Sequence, residues 1–506
     1  MSAATAGSLA QTRTLLSLRW HMVRSPGARV VLAVLAAGLV AFGVACHNAG
    51  VRARDVLVID LSGQFAVLFA GFALLAVVTP LVAGGGVDVF PRAQLVGYPV
   101  RGGAQFLTSV VLAPLNLAWI AQALTLTVLT GYVTATTPHP WAGQLVTWTY
   151  LLAVTLAGQA LAWWLVGVRA TRRGRLLVWA VVALLAAAAG GAWRVWGAPT
   201  LLDRSPTTTV ALATLYAGGF RWERVAPPVI TLLALAALSV WAGSAACRWQ
   251  AARPGDTTLR PDLRRYRRRR PSRSLLATVH AVDVASVLRS TPLRRGLIVL
   301  TALPGLLAVP VRLDWAQLVL LPGLVLAGAG LLFGVNVFAL DGPGALLLAS
   351  SPAPARSLLV SKALVIVEAC LLTAGTTVVL AALTARGSPG AGELVALAGG
   401  LVAQTTLVVA VCLRWSLHHP ARADLHDRRD TPAPPGTMAR YAATLAMQTT
   451  LISLLLAGLG HTVGPLPAAA GAAALTLLAV RSLIATDRAW SQEATRARVA
   501  TAVASG

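Results

Sequence analysis

The sequence predicts an all-α polytopic membrane protein, with twelve transmembrane helices arranged as two tandem parallel six-helix repeats. Composition is the first reason. Of 506 residues, 57% are hydrophobic and 12% charged, with a mean hydropathy of +0.72, whereas soluble domains carry about 25% charged residues. The second is the length of the apolar runs, many reaching 18 residues or more, enough to cross about 30 Å of hydrocarbon as helices. The third is where the charge sits. Thirteen arginines lie from Arg248 to Arg295, eight of them from Arg260 to Arg273. One arginine at the bilayer centre costs ~2.5–3.5 kcal/mol on the insertion scale. That segment therefore stays on one side and pins both neighbouring apolar blocks to it.

Taken in order, residues 1–27 are polar and then amphipathic. Leu15, Leu18 and Met22 share one helical stripe and Arg13, Ser17 and Arg24 another, the pattern of a helix lying in the membrane interface. Pro26 and Gly27 end it. Spans follow at 28–48, 61–83, 104–133, 141–168, 176–197 and 227–247, and beyond the arginines at 296–311, 315–338, 358–385, 390–413, 438–460 and 464–484. The organisation is a first half over 1–247, an Arg-rich linker over 248–275 and a second half over 276–506. The second half carries its own interfacial helix and a C-terminal tail.

Counting basic residues tests this arrangement, because loops on the cytoplasmic side are enriched in Arg and Lys. With both termini cytoplasmic, 34 of the 42 basic residues fall on the cytoplasmic side. The outer loops hold only Arg52, Arg54, Arg194, Arg204, Arg221, Arg224, Arg312 and Arg386. One missed span would invert every later loop, so the split supports twelve. It also accounts for the net charge of +25 without nucleic acid as a partner. The expected location is the cytoplasmic membrane.

Chemistry-bearing residues are sparse. Cys46, Cys247, Cys370 and Cys412 lie in or beside apolar runs with no CxxC pair, which points to neither a metal site nor a disulfide framework. His418-His419 sits in a segment read as a solvated loop. Glu368 is the one acidic residue placed well inside a span. Taking Lys362 as near the surface, six residues put it about 9 Å inward. A carboxylate there is expected to face the bundle interior and find a partner. The outer loop 198–226 is expected to hold a helix over Thr207–Leu215 resting at the interface.

The halves read as copies. Val23-Arg-Ser-Pro26 before the first span parallels Leu288-Arg-Ser-Thr-Pro292 before the seventh. Gly86-Val-Asp-Val-Phe90 parallels Gly334-Val-Asn-Val-Phe338, and Tyr98-Pro-Val-Arg101 parallels Ser351-Pro-Ala-Pro-Ala-Arg356. Six spans per copy is an even number, so the copies are parallel repeats about an axis along the membrane normal.

An interfacial helix, two spans, a short cytoplasmic segment with a proline and an arginine, then four spans resembles the transmembrane half of a type-2 ABC exporter. Asn336-Val-Phe-Ala-Leu-Asp-Gly-Pro-Gly344 with Pro352 and Lys362, and Tyr98-Pro-Val with Leu112-Ala-Pro-Leu-Asn-Leu-Ala-Trp119, are similar to stretches of actinobacterial export permeases. The resemblance implies that two copies of a soluble ABC ATPase bind beneath the fused halves. It also implies that the loop after the second span of each half meets them. Those loops contain Asp88, Phe90, Pro99 and Arg101 in the first copy. In the second they contain Asn336, Phe338, Asp341, Gly342, Pro352, Arg356 and Lys362. The two phenylalanines are expected to anchor these segments, and the basic residues to hold the spans that follow.

No Gly-x-x-x-x-Gly-Lys-Ser/Thr loop is present, so if ATP drives the protein, ATP and Mg belong to a partner subunit and no cofactor is expected on this chain. His-Glu-x-x-His and Gly-x-Ser-x-Gly are likewise absent from the sequence, and no catalytic role is expected. The leading expectation is an export permease for a hydrophobic or amphipathic cargo (a lipid, peptide or secondary metabolite). The alternatives are an ion-coupled secondary transporter, which places ionisable groups at the midplane, and a membrane enzyme acting on a lipid-linked substrate.

Overall fold

The computed structural model describes residues 10–17, 43–54, 65–83, 100–113, 117–169, 205–251, 274–342, 344–350, 354–423 and 432–504, with scattered positions between 171 and 187. The chain divides into two compact units, Met1–Asp262 and Leu263–Gly506, and the boundary falls within the arginine segment. Among the described residues every regular element is helical; strand-like pairing is confined to one bridge, Asp314 to Arg386. Eight of the described helices are long and apolar enough to cross a membrane. The protein is thus a multi-pass, helical membrane protein.

In the first unit the helices are α1 (Phe65–Ala83), α2 (Gly102–Leu112), α3 (Leu117–Thr134), α4 (Pro140–Arg169), α5 (Pro206–Gly218) and α6 (Trp222–Ala251). α4 is the hub and touches each of the other five. Around it Phe65, Phe69, Phe72, Leu126, Tyr150 and Leu151 form the core. The Tyr150 hydroxyl donates to the Phe69 carbonyl at 2.5 Å. Lipid tails are as apolar as leucine, so helix association relies on close backbone approach and polar bonds. Both are present. A Cβ on Gly50 would lie 1.9 Å from the Val128 carbonyl oxygen, and one on Gly131 would lie 2.4 Å from that of His47. At the same junction Gln144 Nε2 bonds His47 Nδ1 at 2.8 Å and the Thr127 carbonyl at 2.9 Å.

Within the span predicted over 104–133 the structure describes α2 and α3, and residues 114–116 between them lie outside the described residues. The helix of the 198–226 segment exists as α5, with Ser205 capping its start and Pro206 in its first turn. One face of it is buried, while Leu212 on the other is 45% exposed. Val210, Ala211, Ala213, Thr214 and Ala217 are buried against α1, α4 and α6.

The second unit contains α7 (Leu275–Arg289), α8 (Thr291–Val311), the short α9 (Trp315–Leu318), α10 (Leu321–Phe333), a 3-10 segment (Gly334–Leu340), α11 (Gly344–Ser350), α12 (Ala355–Ala382), α13 (Ala391–His418), α14 (Pro435–Gly458), α15 (Pro465–Ser491) and α16 (Glu493–Ala504). Six of the eight membrane-length helices belong to this unit. Ser290 ends α7 and caps α8, its hydroxyl accepting from the Leu293 N–H, with Pro292 in the first turn. That is the favoured chemistry for a helix start. At one end of the unit the loops zip together through Arg386 N–H to the Leu313 carbonyl at 3.0 Å and Trp315 Nε1 to the Gly387 carbonyl at 3.2 Å. Buried threonines return their hydroxyls to the carbonyl one turn back, as at Thr373 and Thr377, which satisfies them where no water is at hand.

Two helices outrun their predicted ends. α13 continues to His418 and α15 to Ser491, past the 413 and 484 that span length suggested. His418 thus belongs to a helix rather than to a solvated loop. A helix stops where its backbone chemistry stops it, here just before Pro420, and not where the apolar run ends.

Candidate functional site

The site grows from the junction of α7, the 3-10 segment and α12. α7 buries one stripe, Val279, Asp283 and Val287, at the four-residue spacing of neighbours on a helix face. The middle member is a carboxylate. α12 runs past it and presents Ser361 and Lys362, both buried. Lys362 is 2% exposed and lies 2.6 Å from Asp283 Oδ1 and 2.5 Å from Asp341 Oδ1. The Ser361 hydroxyl donates to the other oxygen of Asp283. One ammonium therefore ties three elements together: α7, the turn after the 3-10 segment, and α12.

A charge removed from water costs several kcal/mol unless it is paired and hydrogen-bonded. This cluster has two carboxylates and one cation. Burial raises the Asp341 carboxyl above its ordinary range, Lys362 pulls it back, and Asp283 pushes it up again.

The 3-10 segment is fixed on its other side by Asn336. Its backbone leaves helical geometry, at φ −151° and ψ 66°, and its side chain is fully buried. Nδ2 donates to the carbonyls of Ala421 and Pro432, at 2.5 and 3.0 Å. Next to it the Ser416 hydroxyl accepts from Val337 N–H and donates to the Gly334 carbonyl. Tyr441 donates to the Gly330 carbonyl at 2.8 Å and contacts Cys412 Sγ at 3.0 Å. Phe338 is 3% exposed and stacks on Trp490, with ring centroids 4.7 Å apart and planes 17° apart. Trp490 Nε1 in turn donates to the Ala355 carbonyl at the start of α12, at 2.7 Å.

Between these braces projects α11, whose Leu346 and Leu347 are 53% and 76% exposed, while Ala345 is buried. Gly342 has φ +50°, a left-handed conformation that glycine adopts without cost, and it sets the turn from Asp341 into α11.

The predicted site residues thus separate into groups. Asn336, Phe338, Asp341 and Lys362 are brought together, but inside the unit. Arg356 lies outside this cluster, with its side chain 81% exposed and 3.9 Å from Asp487. Arg101 precedes α2, and its N–H donates to Gln11 Oε1 at 2.9 Å. Asp88, Phe90, Pro99 and Pro352 lie outside the described residues. Glu368 bonds His280 Nε2 of α7 at 2.8 Å. Its side chain is 55% exposed. Sequence reasoning missed Asp283, His280 and Trp490. A signal for Asp283 existed in the stripe Val279-Asp283-Val287, where an apolar face carries one acid.

Comparison with known proteins identifies no family: no family model, curated protein or solved structure matches the chain.

Proposed function

We propose that this chain is the membrane-spanning permease of an ATP-binding-cassette exporter. In this reading it has twelve spans in two fused six-helix halves, with both termini and the arginine segment on the cytoplasmic face. A separate ATPase, two copies of which bind beneath the halves, holds ATP and Mg and drives the movement of a hydrophobic or amphipathic cargo. The observation that carries this reading is the construction of residues 336–362. A short helix with two exposed leucines stands between two anchors, Phe338 on Trp490 and Asp341 on Lys362. The second anchor lies within a membrane-length helix. A push on α11 is thereby delivered to α12 and, through Asp283, to α7. Rigid, fully partnered anchors transmit displacement where a loose turn would absorb it.

Common features of the two units support the two-half arrangement. In the first, the helical residues 10–17 bond the start of α2 through Gln11 and Thr12. In the second, α7 bonds the early turns of α12 through Asp283. The most extensively packed helix pairs also correspond, α4 with α6 and α13 with α15.

The test is the double variant Leu346→Glu, Leu347→Glu. Both side chains are exposed, and exposed substitutions usually stay within about 0.5 kcal/mol in stability. The permease is expected to fold and insert normally. Recovery of the bound ATPase and cargo-stimulated ATP hydrolysis are expected to fall about tenfold or more, as for a central contact in an interface. Full ATPase binding by this variant overturns the assignment of α11.

The competing reading, a proton-coupled carrier, has one specific observation in its favour, the Glu368–His280 pair. Glu368→Gln keeps the shape and removes the charge. With ATP as the energy source, transport and its pH profile are expected to be unchanged in reconstituted vesicles. Loss of pH dependence in this variant would favour the carrier.

A further inference from the structure

Away from the ion cluster, a groove of about 720 Å³ runs between α13, α14 and α15. Its walls are three helical stripes. α13 contributes Leu407, Val411, Arg414 and His418; α14 contributes Thr444, Gln448 and Leu451; α15 contributes Leu475, Ala479 and Ser482. Each stripe keeps the three- and four-residue spacing of a single helix face.

Each stripe also changes character along its length, from apolar to polar. Successive helices run antiparallel, so the polar ends coincide. Arg414, His418, Thr444 and Ser482 gather at one end with His419, and Leu407, Leu451 and Leu475 at the other. From Leu407 to His418 the axial rise is about 17 Å, close to half of the ~30 Å hydrocarbon thickness. Trp415 lines the polar end and stacks on His419, with centroids 4.7 Å apart. Indole rings favour that depth, where one edge is apolar and the other wet.

Among the described residues no carboxylate lines the groove. Arg414, itself exposed, has no carboxylate partner among them either. Its charge is permanent, and it stands over a slot whose depth is apolar.

We propose that this groove binds one anionic phospholipid of the surrounding leaflet. The acyl chain lies along Leu407, Leu451 and Leu475, and the phosphate sits against Arg414, with His418 and His419 supplying further donors. Charge selects the headgroup and length selects a leaflet lipid over a soluble anion. The site lies in one unit and does not depend on what the protein transports, so it stands or falls separately from the exporter reading.

The test is lipid retention by the full chain. The protein is reconstituted in vesicles of equal phosphatidylglycerol and phosphatidylcholine, extracted in mild detergent, and its bound lipid quantified. Wild type is expected to retain phosphatidylglycerol in excess over phosphatidylcholine. Arg414→Gln is expected to cut the retained phosphatidylglycerol about fivefold, the scale of one basic residue near an anionic surface, and to leave phosphatidylcholine unchanged. Val411→Trp, which narrows the slot without touching its charge, is expected to lower phosphatidylglycerol as well. Monodispersity on gel filtration checks that both variants are folded. Equal retention of the two lipids by wild type overturns the proposal, as does phosphatidylglycerol retention indifferent to Arg414. Displacement by millimolar glycerol 3-phosphate also overturns it, since the groove would then read a free phosphate and not a lipid.

Discussion

Lys362→Met is expected to be among the most damaging single substitutions in the second unit. Methionine fills a similar volume and belongs in an apolar helix, so little packing is lost. What remains is two buried carboxylates, Asp283 and Asp341, that shared the ammonium at 2.6 and 2.5 Å. Removing one partner of a buried ionic cluster typically costs 3–5 kcal/mol, against total stabilities of roughly 5–15 kcal/mol for ordinary domains. Thermal unfolding of the detergent-solubilised protein is expected to begin about 10 °C lower.

The pH dependence carries its own sign. Two like charges held together favour a shared proton, so the folded variant binds a proton that its unfolded chain does not hold at the same pH. Stability then rises as pH falls. The raised Asp341 carboxyl of the wild type already leans that way. Adding Asp283→Asn and Asp341→Asn to Lys362→Met removes the charge conflict, and most of the lost stability is expected to return. A wild-type melting temperature for the single variant would show that the cluster is solvated in the membrane and structurally idle.

The membrane-length helices of the second unit were legible in the sequence because bilayer thickness sets a length that an apolar run either meets or does not. Their ends were less so. α13 and α15 extend to His418 and Ser491, since capping and tertiary contact set a helix end while hydropathy marks only the part in lipid. α5 was visible as a helix. Its burial was not, because a segment rich in Thr and Ala looks alike whether it covers a core or fills one. Lys362 stood out as the single lysine of the chain, yet its role depended on Asp283, 79 residues earlier. No spacing rule links positions that meet only after α7 folds back on α12. Periodicity could have marked Asp283 as buried, but it could not have named the partner. The phenylalanine of the Gly334–Phe338 stretch was expected to anchor its segment. The structure locates that ring against Trp490, inside the unit, so a partner cannot be reading Phe338 directly. In the exporter reading that place falls to the exposed leucines of α11.

Trp490→Ala should therefore loosen the same segment from its other side. The indole is 5% exposed, stacks on Phe338 and donates to the Ala355 carbonyl. It also borders a cavity of about 40 Å³ shared with Leu358 and Val499, so the neighbourhood is already loosely filled and collapses poorly. Truncating a buried tryptophan costs about 3–5 kcal/mol. Trp490→Phe separates the contributions, because it keeps a ring for stacking while losing the hydrogen bond, worth about 1 kcal/mol, and part of the buried ring volume. The alanine variant is expected to lower the melting temperature by several times the shift of the phenylalanine variant. Beyond stability, proteolysis or hydrogen exchange should show residues 336–350 opening in Trp490→Ala while the core around Gln404 and Ser453, joined at 3.0 Å, stays protected. In the exporter reading, Trp490→Ala leaves Leu346 and Leu347 in place. ATPase should still bind, and cargo stimulation of hydrolysis should be lost. Binding and stimulation lost together would mean that Trp490 supports the docking surface itself. Both retained would mean that Phe338 and Trp490 touch without transmitting anything.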